Sequence, residues 1–219
     1  HKNHDEKLLL FKATGSKTSE FYDFETKSKK LTPVIGVEEK GEFNVSYSAK
    51  DGQYLVLTPK EEFKKLYLYT PAVSKELKAL TAKTLNYDVS NFSIDDAKIR
   101  IVYEVNRDGY TDLYAMNAKT FKPITLPKFK NADHVFAGKT TQDGRMTMLG
   151  VISAQSPRVS YSYDWQTRKM QQWVLPSAPE VNLTAFVVSE LMNYETRDGV
   201  KIPMFVRFPK GCKQTKKCP

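Results

Sequence analysis

Few residues in this chain are of the types that do chemistry, and their spacing limits what each can do. His134 is the only histidine beyond His1 and His4. It falls in a strand pattern, so a structural histidine is expected rather than a general base. Gly138-Lys139-Thr140 has the ending of a phosphate-binding P-loop, but Asp133 stands where that loop needs its first glycine, and this excludes it. Cys212 and Cys218 lie six apart, with no nearby histidine or second pair to complete a zinc site. In an oxidising compartment they could close a local disulfide; two free thiols is the alternative. Sequons begin at Asn44, Asn91 and Asn182, short patterns that would mark glycosylation in a secreted chain. Glu104 and Arg107 border an Asp-Gly turn and could face a substrate, although a solvated loop is the expected role. No Gly-x-Ser-x-Gly elbow occurs. No catalytic residue and no metal site is therefore assigned, substrate contacts stay unassigned, and no cofactor is expected.

The chain has 219 residues, 40% hydrophobic and 27% charged, enough for one or two domains and a sizeable core. No apolar run approaches the ~20 residues of a membrane-spanning helix. It begins at His1 rather than Met, which suggests a processed or truncated product. The net charge of +9 could suit a polyanion, but the basic residues are spread out. Their one dense stretch is Lys210, Lys213, Lys216 and Lys217, without an RNA-binding or zinc-finger pattern, so no nucleic-acid partner is expected.

The elements that would position any site come from an internal repeat. Turn residues recur at Asp51-Gly52, Asp96-Ala97 and Asp143-Gly144. An aromatic follows in each unit, at Tyr22, Tyr67, Tyr114 and Tyr161. Each unit ends on a short apolar strand, KKLTP at 29–33, LKALT at 77–81, KPITL at 122–126 and QQWVL at 171–175. Between these anchors lie paired runs rich in β-branched and aromatic residues: QYLVLTP with KKLYLYTP, KIRIVYEV with TDLYAMN, and RMTMLGVI with RVSYSYDW. No segment holds a helical period. A repeat in the mid-forties with four antiparallel strands per unit is the pattern of propeller blades. The expected fold is thus all-β, a partial β-propeller of about four blades at 7–36, 42–82, 87–127 and 132–176. The first blade is expected to lack its leading strand, and Ala97 to make one blade turn atypical. Four blades are few for a closed ring. After Pro176 the repeat stops, and LMNYET and KIPMFVRFP flank Arg197-Asp198-Gly199 as a separate hairpin.

These segments resemble, in order, the prolyl oligopeptidase family of serine peptidases, in particular its bacterial acylaminoacyl- and dipeptidyl-peptidase-like members. LVLTPKEEFKKLYLY (55–69) is similar to the blade carrying TD-x-GSEF-x-x-L. YDVSNFSIDDAKIRIVYEVNRDGYTDLYAMNAKT (87–120) is similar to the blade WDVE-x-F-x-x-SPDG, continuing into VNEDG and LY-x-LD. SPRVSYSYDWQTRKMQQW (156–173) looks like a third blade, and SELMNYETRDGVKIPMFVRFPKG (189–211) like the crossover PELV-x-Y-x-SFDG-x-x-IPAFLY-x-P-x-G into the α/β-hydrolase domain. Asp95-Asp96-Ala97 departs from the usual Pro-Asp-Gly, and Lys60-Glu61-Glu62 from the Gly-Ser-Glu turn.

The resemblance implies residues 1–176 as propeller and 177–219 as the crossover and truncated start of a hydrolase domain. It implies that the intact protein cleaves peptides by Ser-His-Asp acyl-enzyme chemistry, with the triad and oxyanion loop outside this chain and the chain itself inactive. The propeller would gate access of a peptide substrate. The alternative is a stand-alone propeller that binds a protein without catalysis. Location and oligomeric state are left open, with a periplasmic or secreted location favoured over a cytoplasmic one.

Overall fold

The computed structural model describes residues 2–3, 6–174 and 178–212. The chain divides into two compact units. The first comprises His1–Tyr103 and Tyr114–Thr125, and the second Glu104–Leu113 and Leu126–Pro219. The only helical element among the described residues is a 3-10 turn at Leu183–Ala185, and no helix is long and apolar enough to cross a membrane.

In the first unit, β1 (Lys2–Asn3), β2 (Lys7–Gly15), β3 (Thr18–Glu25) and β4 (Leu31–Ile35) form one antiparallel sheet in chain order. The expectation that this sheet lacks its leading strand is corrected: Lys2 and Asn3 pair with Leu8 and Lys7. Two residues carry too little pattern to be read as a strand. The second sheet is β5 (Asn44–Tyr47), β6 (Tyr54–Thr58), β7 (Lys65–Thr70) and β8 (Ser74–Ala79), again in chain order. Every residue of β6 is buried, which explains its unbroken apolar run where one-sided strands would alternate. By contrast β8 is almost wholly exposed, and its Lys75, Glu76 and Lys78 suit an outer edge that must not recruit another strand. Leu9, Phe21 and Val34 of the first sheet pack with Val45, Tyr47, Tyr54, Val56 and Tyr69 of the second.

The third sheet is β9 (Asp88–Ile94), β10 (Arg100–Arg107), β11 (Tyr110–Asn117) and β12 (Pro123–Ile124). It is tied to the second by Val89 N–H donating to the Lys64 carbonyl (2.9 Å) and Lys64 N–H donating to the Asp88 carboxylate (2.7 Å). The tip of the β10–β11 hairpin belongs to the second unit. Asp108 (φ 55°) and Gly109 (φ 96°) are both left-handed there, as a two-residue hairpin turn requires.

In the second unit β13 (His134–Thr140), β14 (Met146–Ser153), β15 (Ser156–Asp164) and β16 (Met170–Gln172) form the fourth sheet around Thr147, Leu149, Val159 and Tyr163. Thr111 of the hairpin tip pairs in parallel with His134. Beyond it, β17 (Glu190–Glu195) and β18 (Lys201–Val206) make an isolated antiparallel hairpin turned at Gly199. The four repeat tyrosines, Tyr22, Tyr67, Tyr114 and Tyr161, sit on β3, β7, β11 and β15, the third strand of each sheet.

The third-sheet turn differs from its sequence reading in one residue. Lys98 N–H donates to the Asp95 carbonyl (3.0 Å) as Gly144 N–H donates to the Thr141 carbonyl (2.8 Å) in the fourth sheet. Asp95 N–H likewise reaches the Arg100 carbonyl as Thr141 N–H reaches that of Met146. Lys98, not Ala97, therefore takes the place of Gly144, and it adopts the left-handed conformation itself (φ 56°).

Candidate functional site

The residues singled out by type are mostly bound up in structure. His134 lies on β13 with Nδ1 3.0 Å from Thr111 Oγ1, at the point where β11 meets β13. Lys139 and Thr140 are strand residues, and Thr140 Oγ1 pairs with Thr147 Oγ1 at 2.8 Å. Arg107 donates through Nε to Asp112 Oδ2 (2.7 Å) and lies over the Tyr110 ring at 5.4 Å. Tyr110 in turn meets Phe205 of β18 edge-on, with centroids 4.9 Å apart. Arg107 thus braces the hairpin tip against β18. Glu104 is on the same strand, β10. Cys212 is disulfide-bonded; Cys218, Lys213, Lys216 and Lys217 lie outside the described residues. Asn44 and Asn91 are exposed on β5 and β9, and Asn182 precedes the 3-10 turn.

Three polar clusters stiffen the sheets. Asp164 accepts Arg145 (Nη2, 2.9 Å) and the amides of Gln166 and Thr167, and the Arg145 guanidinium holds its carboxyl down at about 2. Glu20 accepts Lys40 (2.6 Å), Tyr22 (2.7 Å) and Lys12 (3.0 Å), with Lys40 the main cause of a carboxyl lowered to about 2. Asp23 accepts both Tyr47 and Tyr54 hydroxyls, the latter at 2.8 Å. Burial first, and that carboxylate second, push both phenols well above the ordinary tyrosine range.

Among the described residues, two clefts of similar size open on the first unit; one, of about 250 Å³, lies beside Pro33–Glu39, Tyr69 and Lys75, and the other is lined by more polar side chains. The latter measures about 240 Å³ and lies between β5 and β9, the leading strands of the second and third sheets, with Asn44, Ser46, Phe92, Ser93, Asp96 and Lys98 among its lining. Among the described residues, the side chains of Asn44, Ser46, Ser93 and Lys98 make no hydrogen bond or ion pair with one another or with the rest of the chain. Asp95 is committed elsewhere, accepting Ile99 N–H (2.7 Å), Arg100 N–H (3.2 Å) and the Arg100 guanidinium. In the sequence this place shows as the atypical turn at Asp95-Asp96-Ala97 and as the sequons that begin at Asn44 and Asn91.

No family model matches the chain. The prolyl endopeptidase of Elizabethkingia meningoseptica is 25% identical over 219 residues, spanning 97% of this chain and 29% of that protein. A solved prolyl endopeptidase superposes on 95% of the chain with a TM-score of 0.76 at 18% identity. The chain is similar to the propeller region of prolyl oligopeptidases. Oligopeptidase B from Trypanosoma brucei, in a closed form with covalently bound antipain, gives a TM-score of 0.74 at 17% identity over 98% of the chain. Apo prolyl oligopeptidase B from Galerina marginata gives 0.73 at 18% over 95%. The chain spans about 30% of the length of these prolyl oligopeptidases. At these identities the structural likeness establishes the fold, which is four four-stranded propeller blades followed by a hairpin.

Proposed function

We propose that this chain is the non-catalytic propeller portion of a serine peptidase of the prolyl oligopeptidase family. In this reading residues 1–176 are propeller blades, and 177–219 cross into an α/β-hydrolase domain supplied by further polypeptide. The observation that carries it is the order of elements. Four blades precede the β17–β18 hairpin, and a prolyl endopeptidase structure and an oligopeptidase B structure superpose on 95% and 98% of the chain. The hydrolase domain would supply the serine nucleophile, its histidine and aspartate, and the oxyanion donors. The blades would set which peptides reach them, since a rigid propeller with a narrow central channel admits extended peptides and turns away folded proteins.

The test compares this chain with the longer protein encoded by its reading frame. A fluorophosphonate probe, which labels activated serines, is expected to label the longer protein beyond residue 219, with hydrolysis of peptidyl amides. The 219-residue chain is expected to show neither. Serine-dependent turnover by the chain alone would overturn the placing of the active site. A longer protein without probe labelling would favour a propeller that only binds.

A further inference from the structure

The β5–β9 cleft offers unused binding groups at a conformational cost. A left-handed lysine is strained by about 1–2 kcal/mol, and the matching position of the fourth blade is a glycine that avoids this. Lys29, Asp108, Phe121, Asn131 and Arg168 are left-handed as well, and Lys98 is the one of these residues that lines the cleft. Lys98 is half-buried and its backbone is fixed by the Asp95 turn, so the ammonium is carried on a rigid base rather than a mobile loop. Burial lowers its pKa, with Asp96 and Asp95 opposing that shift. The group is thus a poorly solvated cation for which an anion would be a favourable partner. Asn44, Ser46 and Ser93 add neutral hydrogen-bonding groups, and Phe92 an apolar floor. Asp96 provides one acceptor for an N–H. One cation, neutral hydrogen-bonding groups and one carboxylate, Asp96, complement the end of a peptide: its carboxylate for the cation, and the amide N–H just before it for Asp96. The cleft is smaller than the roughly 300–1,000 Å³ of drug-sized sites, which fits an end group rather than a long segment.

We propose that the cleft between β5 and β9 binds the C-terminal carboxylate of a short peptide, with Lys98 as counter-ion and Ser46 and Ser93 as hydrogen-bonding groups. The proposal rests on the peptide-handling reading above and gives the propeller a specific contact with the chains it admits.

The test is a titration of the ¹⁵N-labelled full chain with N-acetyl-dialanine, its C-terminal amide, and inorganic phosphate. The acid is expected to shift the amide signals around Ser46, Ser93 and Lys98, and the amide to leave them in place. Lys98→Asn removes the charge while keeping a residue that tolerates the left-handed turn, and should weaken acid binding about tenfold or more. Lys98→Arg should hold it within a few-fold. Equal binding of acid and amide, indifference to Lys98→Asn, or phosphate binding as tightly as the acid would each overturn the assignment. Peptidyl amide hydrolysis by the longer protein is measured separately. A peptidase without a carboxylate site therefore refutes only this proposal, and a carboxylate site without hydrolysis refutes only the peptidase reading.

Discussion

Raising the pH from 9 to 11 should loosen the join between the first two blades, by an amount set by Tyr47 and Tyr54. Both rings are buried, at 3% and 5% exposure, and both hydroxyls donate to Asp23. Ionising either would strand a phenolate beside a carboxylate, so their folded pKa values are raised. A group of raised folded pKa stabilises the fold fully below its unfolded pKa, and that stability is lost as pH climbs above it. The unfolded value is about 10, so at pH 11 the unfolded chain releases a proton that the folded chain keeps. Each tyrosine then costs about 1.4 kcal/mol relative to pH 9, and the pair about 3 kcal/mol. Urea unfolding followed by far-UV circular dichroism at both pH values measures the loss. Other buried tyrosines add to it, so the informative quantity is the difference between wild type and variant. Tyr47→Phe should remove about 1.4 kcal/mol of the pH sensitivity, and Tyr47→Phe/Tyr54→Phe twice that. At neutral pH each single variant should be less stable by about 1.5–3 kcal/mol, the usual worth of a hydrogen bond to a charged group. Variants with the wild-type loss between pH 9 and 11 would show that the clamp on Asp23 does not hold the phenols neutral.

In the second unit, Gly109→Ala should destabilise by about 1–3 kcal/mol, because φ is +96° and a β-carbon would lie 2.5 Å from the Phe205 ring; an unchanged urea midpoint would refute the packing of this turn under Phe205. Thr147 is 1% exposed, accepts the Trp165 indole N–H at 2.7 Å and pairs with Thr140. Thr147→Val should cost about 1–3 kcal/mol and alter Trp165 fluorescence, and retention of both properties would count against the network. Asp164 contributes stability present above the ordinary carboxylate pKa and lost as pH falls through about 2. Asp164→Asn should therefore be less stable than wild type at pH 5, with the gap closing towards pH 2. A gap that persisted would mean the Arg145 pair is not its source.

Blade architecture was legible in the sequence because a strand's alternation and a turn's chemistry are local. QYLVLTP and KKLYLYTP lie on β6 and β7, and the Asp108-Gly109 turn followed from the need for positive φ. Registers of the repeat tyrosines were legible too, but not their surroundings: Tyr67 is 4% exposed and Tyr114 41%. The same position in a blade meets different neighbours, and a repeat says nothing about those.

An all-β chain of repeated four-stranded units, the break after the fourth and the lack of a nucleophile elbow could be read without coordinates. These depend on residue type and short-range spacing. Tertiary structure alone decided that Arg107 is spent on Asp112 and Tyr110, that His134 joins β13 to β11, and that Lys98 takes the left-handed seat held elsewhere by Gly144. It also decided that β5 and β9, separated in the chain by three further strands, share one cleft. Such groups meet across sheets, and their availability depends on which neighbours have already taken up their hydrogen bonds and charges. That is a property of packed surfaces, and no spacing along the chain encodes it.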